Sequence, residues 1–464
     1  MVKRGITYLL LGFIIGFLMI PLTAEASNHE DLRLMEEDIT ELSGRLDKVE
    51  TKSILDRVVI GGEFRTRMDY IRYKDTMESG IKDDANTEDV WSNRLRLNLK
   101  ADITDDLVFH GRLTCFKLWG ESNFIGYERD MYHPSIPDSE GNLHVERAYV
   151  DYAIPDLQIS FTIGRLPTNE GPPAELRENR TRKATYPKLL VDAELDGIFL
   201  NIYLDQFTDL KKSVLRFVYP KLFQNYQKYR GIEIKDTSAP SVTFESQVPN
   251  IENSLLWLSY TKLLSLATFT ELPAEYEALG YRITSPAEDF GELTFYTLHI
   301  QFDDINKDGL DWFLSFIYGE IDASSEGSTV TTPFGSYEIG IFGDSINGNL
   351  GESRSFSGFY TGLRYKLPIK RWKNPKIGFE YNHGSKYFAG LAGMGSGYLI
   401  NKLLIHGDAY ELYYIQPIDN KRMFLRMGGV YIDHDYYNRL VAYGSVSKSD
   451  MTITNVYLLL DVLF

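Results

Sequence analysis

From Val58 to the C terminus, apolar and polar residues alternate with a period of two, the mark of extended strands with two unlike faces. In "VVIGGEFRTRMDYIRY", Val58, Ile60, Gly62, Phe64, Thr66, Met68 and Tyr70 share one face, and Glu63, Arg65, Arg67 and Asp69 the other. "WSNRLRLNLKADI" sets Trp91, Leu95, Leu97 and Leu99 against Arg94, Arg96, Asn98 and Lys100. "LVFHGRLTC" sets Leu107, Phe109 and Leu113 against His110, Arg112 and Thr114. The pattern predicts strands at 58–73, 91–103, 107–119, 144–154, 158–165, 195–204, 212–219, 293–302, 310–320, 355–366, 375–387, 405–416, 422–433 and 451–464. Two more are expected within "NSLLWLSYTKLLSLATF" (253–269), for about sixteen in all, with 14–18 as bounds.

The connections alternate in length. Short polar turns fall at 104–106, 155–156, 303–309, 367–374 and 417–421; long segments fall at 74–90, 120–143, 166–194, 321–354 and 388–403. Short turns on one side and long loops on the other suit a membrane barrel, whereas a soluble sandwich has no reason for this polarity. Tyr70, Tyr73, Trp91, Trp119 and Tyr318 gather toward the long loops, and Trp312, Tyr365 and Trp372 toward the short turns, as two interfacial girdles would. The chain ends in "VYLLLDVLF", where Val456, Leu458, Leu460, Val462 and Phe464 share a face. A last residue that is large and apolar suits a final barrel strand facing lipid better than a fraying soluble terminus.

Before Val58 the period is different. Leu32, Met35, Ile39, Leu42, Leu46 and Val49 form a short heptad seam. We expect a short α-helical coiled-coil segment (27–55), periplasmic because an even strand count puts both barrel ends on one side. Its seam (32–49) would support a homo-oligomer, most simply a trimer. Upstream, Lys3 and Arg4, an apolar run Ile6–Ile20, Pro21 and Ala24-Glu25-Ala26 read as a signal peptide (1–26). The barrel is assigned to 57–464.

Composition narrows the partners. Charged residues are 25% and mean hydropathy is −0.24, which excludes a helical membrane protein. Aromatic content is 13%, with 31 Tyr, a residue that sits well at a bilayer interface. The net charge is −16, and loss of Lys3, Arg4 and Glu25 would leave it one unit more negative; nucleic acid is not an expected partner. Cys115 is the single cysteine, so there is no disulfide framework, and no Cys-x-x-Cys-His motif attaches haem.

"VERAYVDY" (145–152), "TIGRLPTNEGPPAELRENRTRKATYPKLLVDAELDG" (162–197), "DINKDGLDWFLS" (304–315) and "GFEYNHGSKYF" (378–388), with the heptad segment and Phe464, resemble an uncharacterised family of porin-like bacterial outer-membrane proteins. The resemblance covers most of 58–464 and implies a porin-type barrel in the outer membrane of a Gram-negative-type bacterium. Phe464 also resembles the C-terminal signal read by the outer-membrane assembly machinery, although Leu459 stands where that signal often has glycine.

Candidate chemistry is sparse. "DINKDG" has the first half of an EF-hand loop, Asp304, Asn306, Asp308 and Gly309, but Ser315 replaces the bidentate glutamate, and turn geometry explains the same residues. No metal or cofactor is expected. His383 and Ser385 share a lipid-side strand face and resemble the surface His/Ser pair of the outer-membrane phospholipase; Asn401 is the only nearby third group. An interfacial polar pair is the plainer account, and an enzyme is not expected. Arg65, Arg67, Arg94, Arg96, Lys100, Arg112 and Arg147 all fall on inward positions, forming a basic ladder along one wall. Segment 166–194 carries Glu170, Glu175, Arg177, Glu178, Arg180, Arg182 and Lys183 and follows the fifth strand, where it could fold inward as a constriction loop. The expected function is a porin: passive diffusion of small hydrophilic solutes or ions, mildly anion-preferring. The alternatives are a barrel that docks a partner, such as a periplasmic cytochrome in an electron conduit, and an outer-membrane lipase.

Overall fold

The computed structural model describes residues 39–43, 57–76, 82–83, 89–120, 140–224, 232–268, 277, 279–392, 399–419, 422–437 and 444–464. The expected signal peptide lies outside the described residues. So does most of the expected coiled coil; within it, residues 39–43 are helical and expose Ile39 and Leu42. These belong to a unit separate from the one spanning Val59–Phe464.

Sixteen antiparallel strands close into a barrel. They are β1 (Val58–Thr76), β2 (Val90–Thr104), β3 (Leu107–Leu118), β4 (Glu140–Ile154), β5 (Ile159–Leu166), β6 (Leu195–Tyr203), β7 (Val214–Phe223) and β8 (Ser241–Ser246). Then follow β9 (Ser254–Leu263), β10 (Gly291–Ile305), β11 (Leu310–Ala323), β12 (Arg354–Lys366), β13 (Lys376–Gly384), β14 (Gly407–Asp419), β15 (Met423–Tyr437) and β16 (Ser447–Leu463). The seam pairs β1 with β16 from Glu63↔Leu463 to Lys74↔Thr452. Phe464 ends the seam: its backbone exchanges hydrogen bonds with Gly62, and its ring lies where a side chain at Gly62 would be.

Burial is inverted relative to a water-soluble sheet. On β2, Leu95 and Leu97 are each 37% exposed, while Arg94 and Arg96 are 3% and 1% exposed. On β16, Val456 and Leu458 face out, and Asn455 and Asp461 face in. An apolar exterior on a closed barrel, with every strand paired, is what a hydrocarbon environment requires. Among the described residues no helix is long and apolar enough to cross a membrane; the strands do the crossing.

The extra strand pair is placed differently from the sequence expectation. Only Ser254–Leu263 of 253–269 is barrel strand; its partner is Ser241–Ser246, six residues long. That strand is easily overlooked because it is short, begins after Pro240, and continues beyond a kink as the two-residue strand Thr237–Ser238. The turn between β8 and β9 is then Gln247–Asn253, and it is polar. Tyr73 also differs: it shares the inward face with fully buried Ile71 and packs against that cluster, so it is not a girdle residue. Trp91 and Trp119 stack at 4.9 Å at the loop end, and Trp312 stacks on Phe302 at 5.7 Å near the short turns.

The lumen is filled on one side by apolar packing. Inward Phe199, Trp257, Phe295, Phe313 and Phe356 receive Leu176, Leu189 and Leu190 from the segment after β5, and Phe388 from the segment after β13. Burying each such side chain contributes about 1.5–3 kcal/mol, which draws both segments into the barrel. They join at a parallel bridge between Val191 and Leu391.

Candidate functional site: the lumen and its inserted loop

The segment from Pro167 to Glu194 crosses the barrel. It contains a five-residue helix, α1 (Ala174–Glu178). Gly171 makes the close approach possible: a Cβ there would sit 1.7 Å from the Tyr186 carbonyl oxygen. The segment touches walls around most of the circumference. Glu170 meets Arg96 on β2 at 2.5 Å, Arg177 meets Glu411 on β14 at 2.9 Å, and Arg182 meets Glu245 on β8 at 2.5 Å. Glu175 accepts from Gln301 on β10 at 3.0 Å, and the Leu176 carbonyl accepts from Arg364 on β12 at 2.6 Å.

The basic ladder faces inward, but it is not a bare cationic wall. Arg65 binds Asp461 at 2.8 Å and also pairs with Glu178. Arg67 forks onto Asp69 through two 2.6 Å bonds and lies over the Tyr457 ring. Arg96 is held between Glu146 at 2.7 Å and Glu170 at 2.5 Å. Arg112 reaches Glu146 at 3.1 Å and Glu170 at 3.5 Å, and Arg94 reaches Glu170 at 3.4 Å. Arg147 donates to the Lys183 and Asn169 carbonyls at 2.8 and 2.6 Å. Lys100 stands apart: it is half exposed and pairs with Asp102 at 2.9 Å near the short-turn end.

A β-bulge explains how neighbouring Glu146 and Arg147 both point inward. The β3–β4 register slips between Arg112 and Leu113, so one extra residue enters β4. A strict period of two places only one of them inside, which is why Glu146 was missed. Carboxylates absent from the sequence-derived site include Glu63, Glu146, Glu245, Glu380, Glu411 and Asp461; the missing cations include Arg216, Arg364, Lys402 and Arg426. Lys402 binds Glu411 at 2.5 Å and also pairs with Glu380. Arg426 reaches Glu178 at 3.1 Å and Arg180 reaches Asp461 at 2.9 Å; Arg180 and Lys183 both also pair with Glu63. For Glu63, Glu380, Glu411, Arg426 and Asp461 the usable signal was inward parity on strands already assigned; Glu146 enters through the bulge and Lys402 lies in the segment before β14, so parity could not find them.

The loop groups respond to this setting. Burial pushes the Glu170 carboxyl up, but Arg96, Arg94 and Arg112 overcome it and hold it well below the usual range. Glu178 is held down in the same way against burial, by Arg65, Arg426, Arg177 and Arg180. Glu175 goes the other way: burial raises it, since its nearest partner is the neutral Gln301 amide. Burial lowers the Lys183 ammonium to about 8.

Outside the lumen, His383 Nδ1 lies 2.9 Å from Asp408 Oδ1, directly across the β13–β14 ladder. The third group beside this histidine is therefore Asp408. Asn401 instead donates to the Ala392 carbonyl and accepts from the Leu403 and Leu404 amides. Ser385 Oγ accepts the Ser357 N–H at 2.9 Å. In the "DINKDG" turn, Asp304 Oδ1 accepts the Gly309 amide at 2.8 Å while the Asp304 N–H donates to Asp311, and Asp304, Asn306 and Lys307 take left-handed φ, as a tight turn needs.

Solved structures of similar fold include OprB of Pseudomonas putida (12% identity, TM-score 0.49, covering 89% of this chain and 96% of that one). OmpF of Salmonella typhi, in complex with daunomycin, is 11% identical with a TM-score of 0.46, covering 88% and 97%. An anion-selective porin from Comamonas acidovorans is 11% identical with a TM-score of 0.44, covering 88% and 99%. No curated protein matches the sequence. The family described as "Protein of unknown function (DUF3373)" matches residues 84–460, and the chain, a sixteen-stranded antiparallel barrel, belongs to it.

Proposed function

We propose that the protein is an outer-membrane channel through which small hydrophilic solutes or ions diffuse passively, with the 167–194 segment as its constriction. The observation that carries this reading is the loop's span: it reaches Arg96 on one wall and Gln301 on the other, inside a barrel whose exterior suits lipid. A polar lumen lowers the barrier for hydrated solutes, and a narrow zone with fixed charge selects by size and sign. A barrel that docks a partner is the second reading. The inserted segments already occupy the lumen, so such a partner would sit on the rim; Phe334, 94% exposed at a hairpin tip in the β11–β12 loop, supports that placement. The protein would be targeted by residues 1–26, assembled through its C-terminal Phe464, and associated as a trimer through 32–49.

Liposome swelling tests the channel reading. Proteoliposomes holding the refolded barrel should swell in small sugars or amino acids and slow steeply as solute size rises. Swelling no faster than that of protein-free liposomes would reject a channel.

A further inference from the structure

Both inserted segments and the wall formed by β1 and β14–β16 enclose a cavity, with about 30 Å³ open to the centres of water-sized molecules. One water needs roughly 10–15 Å³ on that measure, so the cavity holds more than one water, or one larger ion. Four cations line it: Arg67 from β1, Arg177 and Lys188 from the 167–194 segment, and Lys402 from the segment after β13. None of them is more than 7% exposed. Among the described residues, Glu411 is the one carboxylate on the cavity surface. Its two oxygens are taken up by Arg177 at 2.9 Å, Lys402 at 2.5 Å and the Tyr457 hydroxyl at 2.5 Å. Asp69, Asp192 and Glu380 pair with Arg67, Lys188 and Lys402, yet none of these three carboxylates lines the cavity. On the same surface Asn455 is 1% exposed, and its Oδ1 has no hydrogen-bond partner within the protein. A buried polar atom without a partner is rare in a folded protein and marks a place for water or a polar ligand.

We propose that this cavity binds a small inorganic anion, of the size of chloride or nitrate, with a water beside it. Ammonium and guanidinium groups only donate hydrogen bonds, which suits an anion and repels a metal cation. Four positive side chains against one carboxylate make the cavity surface positive. Coulomb attraction falls with distance, so the carboxylates behind the cations weigh less than the cations themselves. Salt screens a buried site of this kind only weakly. Asn455 Nδ2 is held by Asp69 at 2.8 Å, so its Oδ1 takes the water as donor. The bound anion ties β1, the 167–194 segment and the segment after β13 together at one point, in addition to the Val191–Leu391 bridge. The site does not depend on the channel reading.

Crystals of the full barrel soaked in sodium bromide test this, because bromide replaces chloride and scatters X-rays anomalously. An anomalous peak in contact with the Arg177 and Lys188 side chains is expected. In solution, the unfolding temperature of the refolded barrel should rise with sodium chloride and saturate in the millimolar range. Sodium gluconate, whose anion is too large for the cavity, should give no saturable rise at the same ionic strength. Lys188→Gln should weaken the chloride response several-fold. A bromide-soaked cavity that holds water alone, or a chloride response no different from that of gluconate, would overturn the inference. So would a saturable response that Lys188→Gln leaves intact, since the anion would then bind elsewhere. Bromide bound as expected in a barrel without conductance would count against the channel reading and leave the anion site standing.

Discussion

Arg96 is 1% exposed and holds two carboxylates, Glu146 on the wall and Glu170 on the loop. Removing one partner of a buried ion pair leaves the other charged and desolvated, which costs about 3–5 kcal/mol. Arg96→Gln should therefore lower the midpoint of urea unfolding by a corresponding amount, and an unchanged midpoint would show that the pair is hydrated. Glu175 should respond in the opposite sense. Its folded-state pKa is raised by burial, so it weakens the fold while ionised, and stability rises as pH falls through that raised value. Glu175→Gln should stabilise the barrel above the ordinary carboxylate range. If the barrel conducts, the wild type should gain anion preference as Glu175 protonates on acidification, and Glu175→Gln should abolish that gain. Reversal potentials measured across that pH range check this. At this scale the ladder was legible because parity alone puts Arg65, Arg94, Arg96 and Arg112 inside. Their partners were not, since Glu63, Glu146 and Asp461 come from separate strands and one of them enters through a bulge.

Among the elements, the barrel strands declared themselves through alternation, and the exception is instructive. β8 has six residues, below the roughly 9–11 of a full crossing, because Pro240 interrupts it. Alternation over so short a run gives little signal. The loop's inward fold was expected from its charges, but what seats it is apolar: Leu176, Leu189 and Leu190 pack against inward aromatics. The segment holding Phe388 and Lys402 gave no comparable hint, since its role depends on contact with Val191 and Glu411 far away in sequence. The seam gives a prediction of its own. An added Cβ at Gly62 would lie 2.1 Å from the Phe464 ring, so Gly62→Val should displace that ring, as deleting Phe464 removes it. One aromatic side chain is worth about 1.5–3 kcal/mol, small beside a whole barrel. Both variants should therefore depress the amount of heat-modifiable barrel in cells more than they lower the unfolding midpoint. Wild-type levels of folded barrel would rule out a special role for the terminal residue.

For the whole molecule, net charge and local charge point in opposite directions. The chain carries −16, yet inside the barrel Arg182 and Arg216 share one carboxylate, Glu245. Sequence composition could not reveal this, because it averages over loops, exterior and lumen alike. Association is a separate property. If 32–49 holds an oligomer, replacing Ile39 and Leu42 with Asp should weaken it in crosslinking while the barrel still folds, and an unchanged oligomer would assign that segment another role. If the folded-in loop narrows a conducting barrel, removing it should widen the passage. Single-channel conductance in planar bilayers, compared between the wild type and a heat-modifiable variant lacking residues 170–183, measures it directly. A small, steady wild-type conductance that rises several-fold in the shortened protein is the predicted result. A wild-type conductance already as large as that of the shortened protein, or none in either, would contradict it.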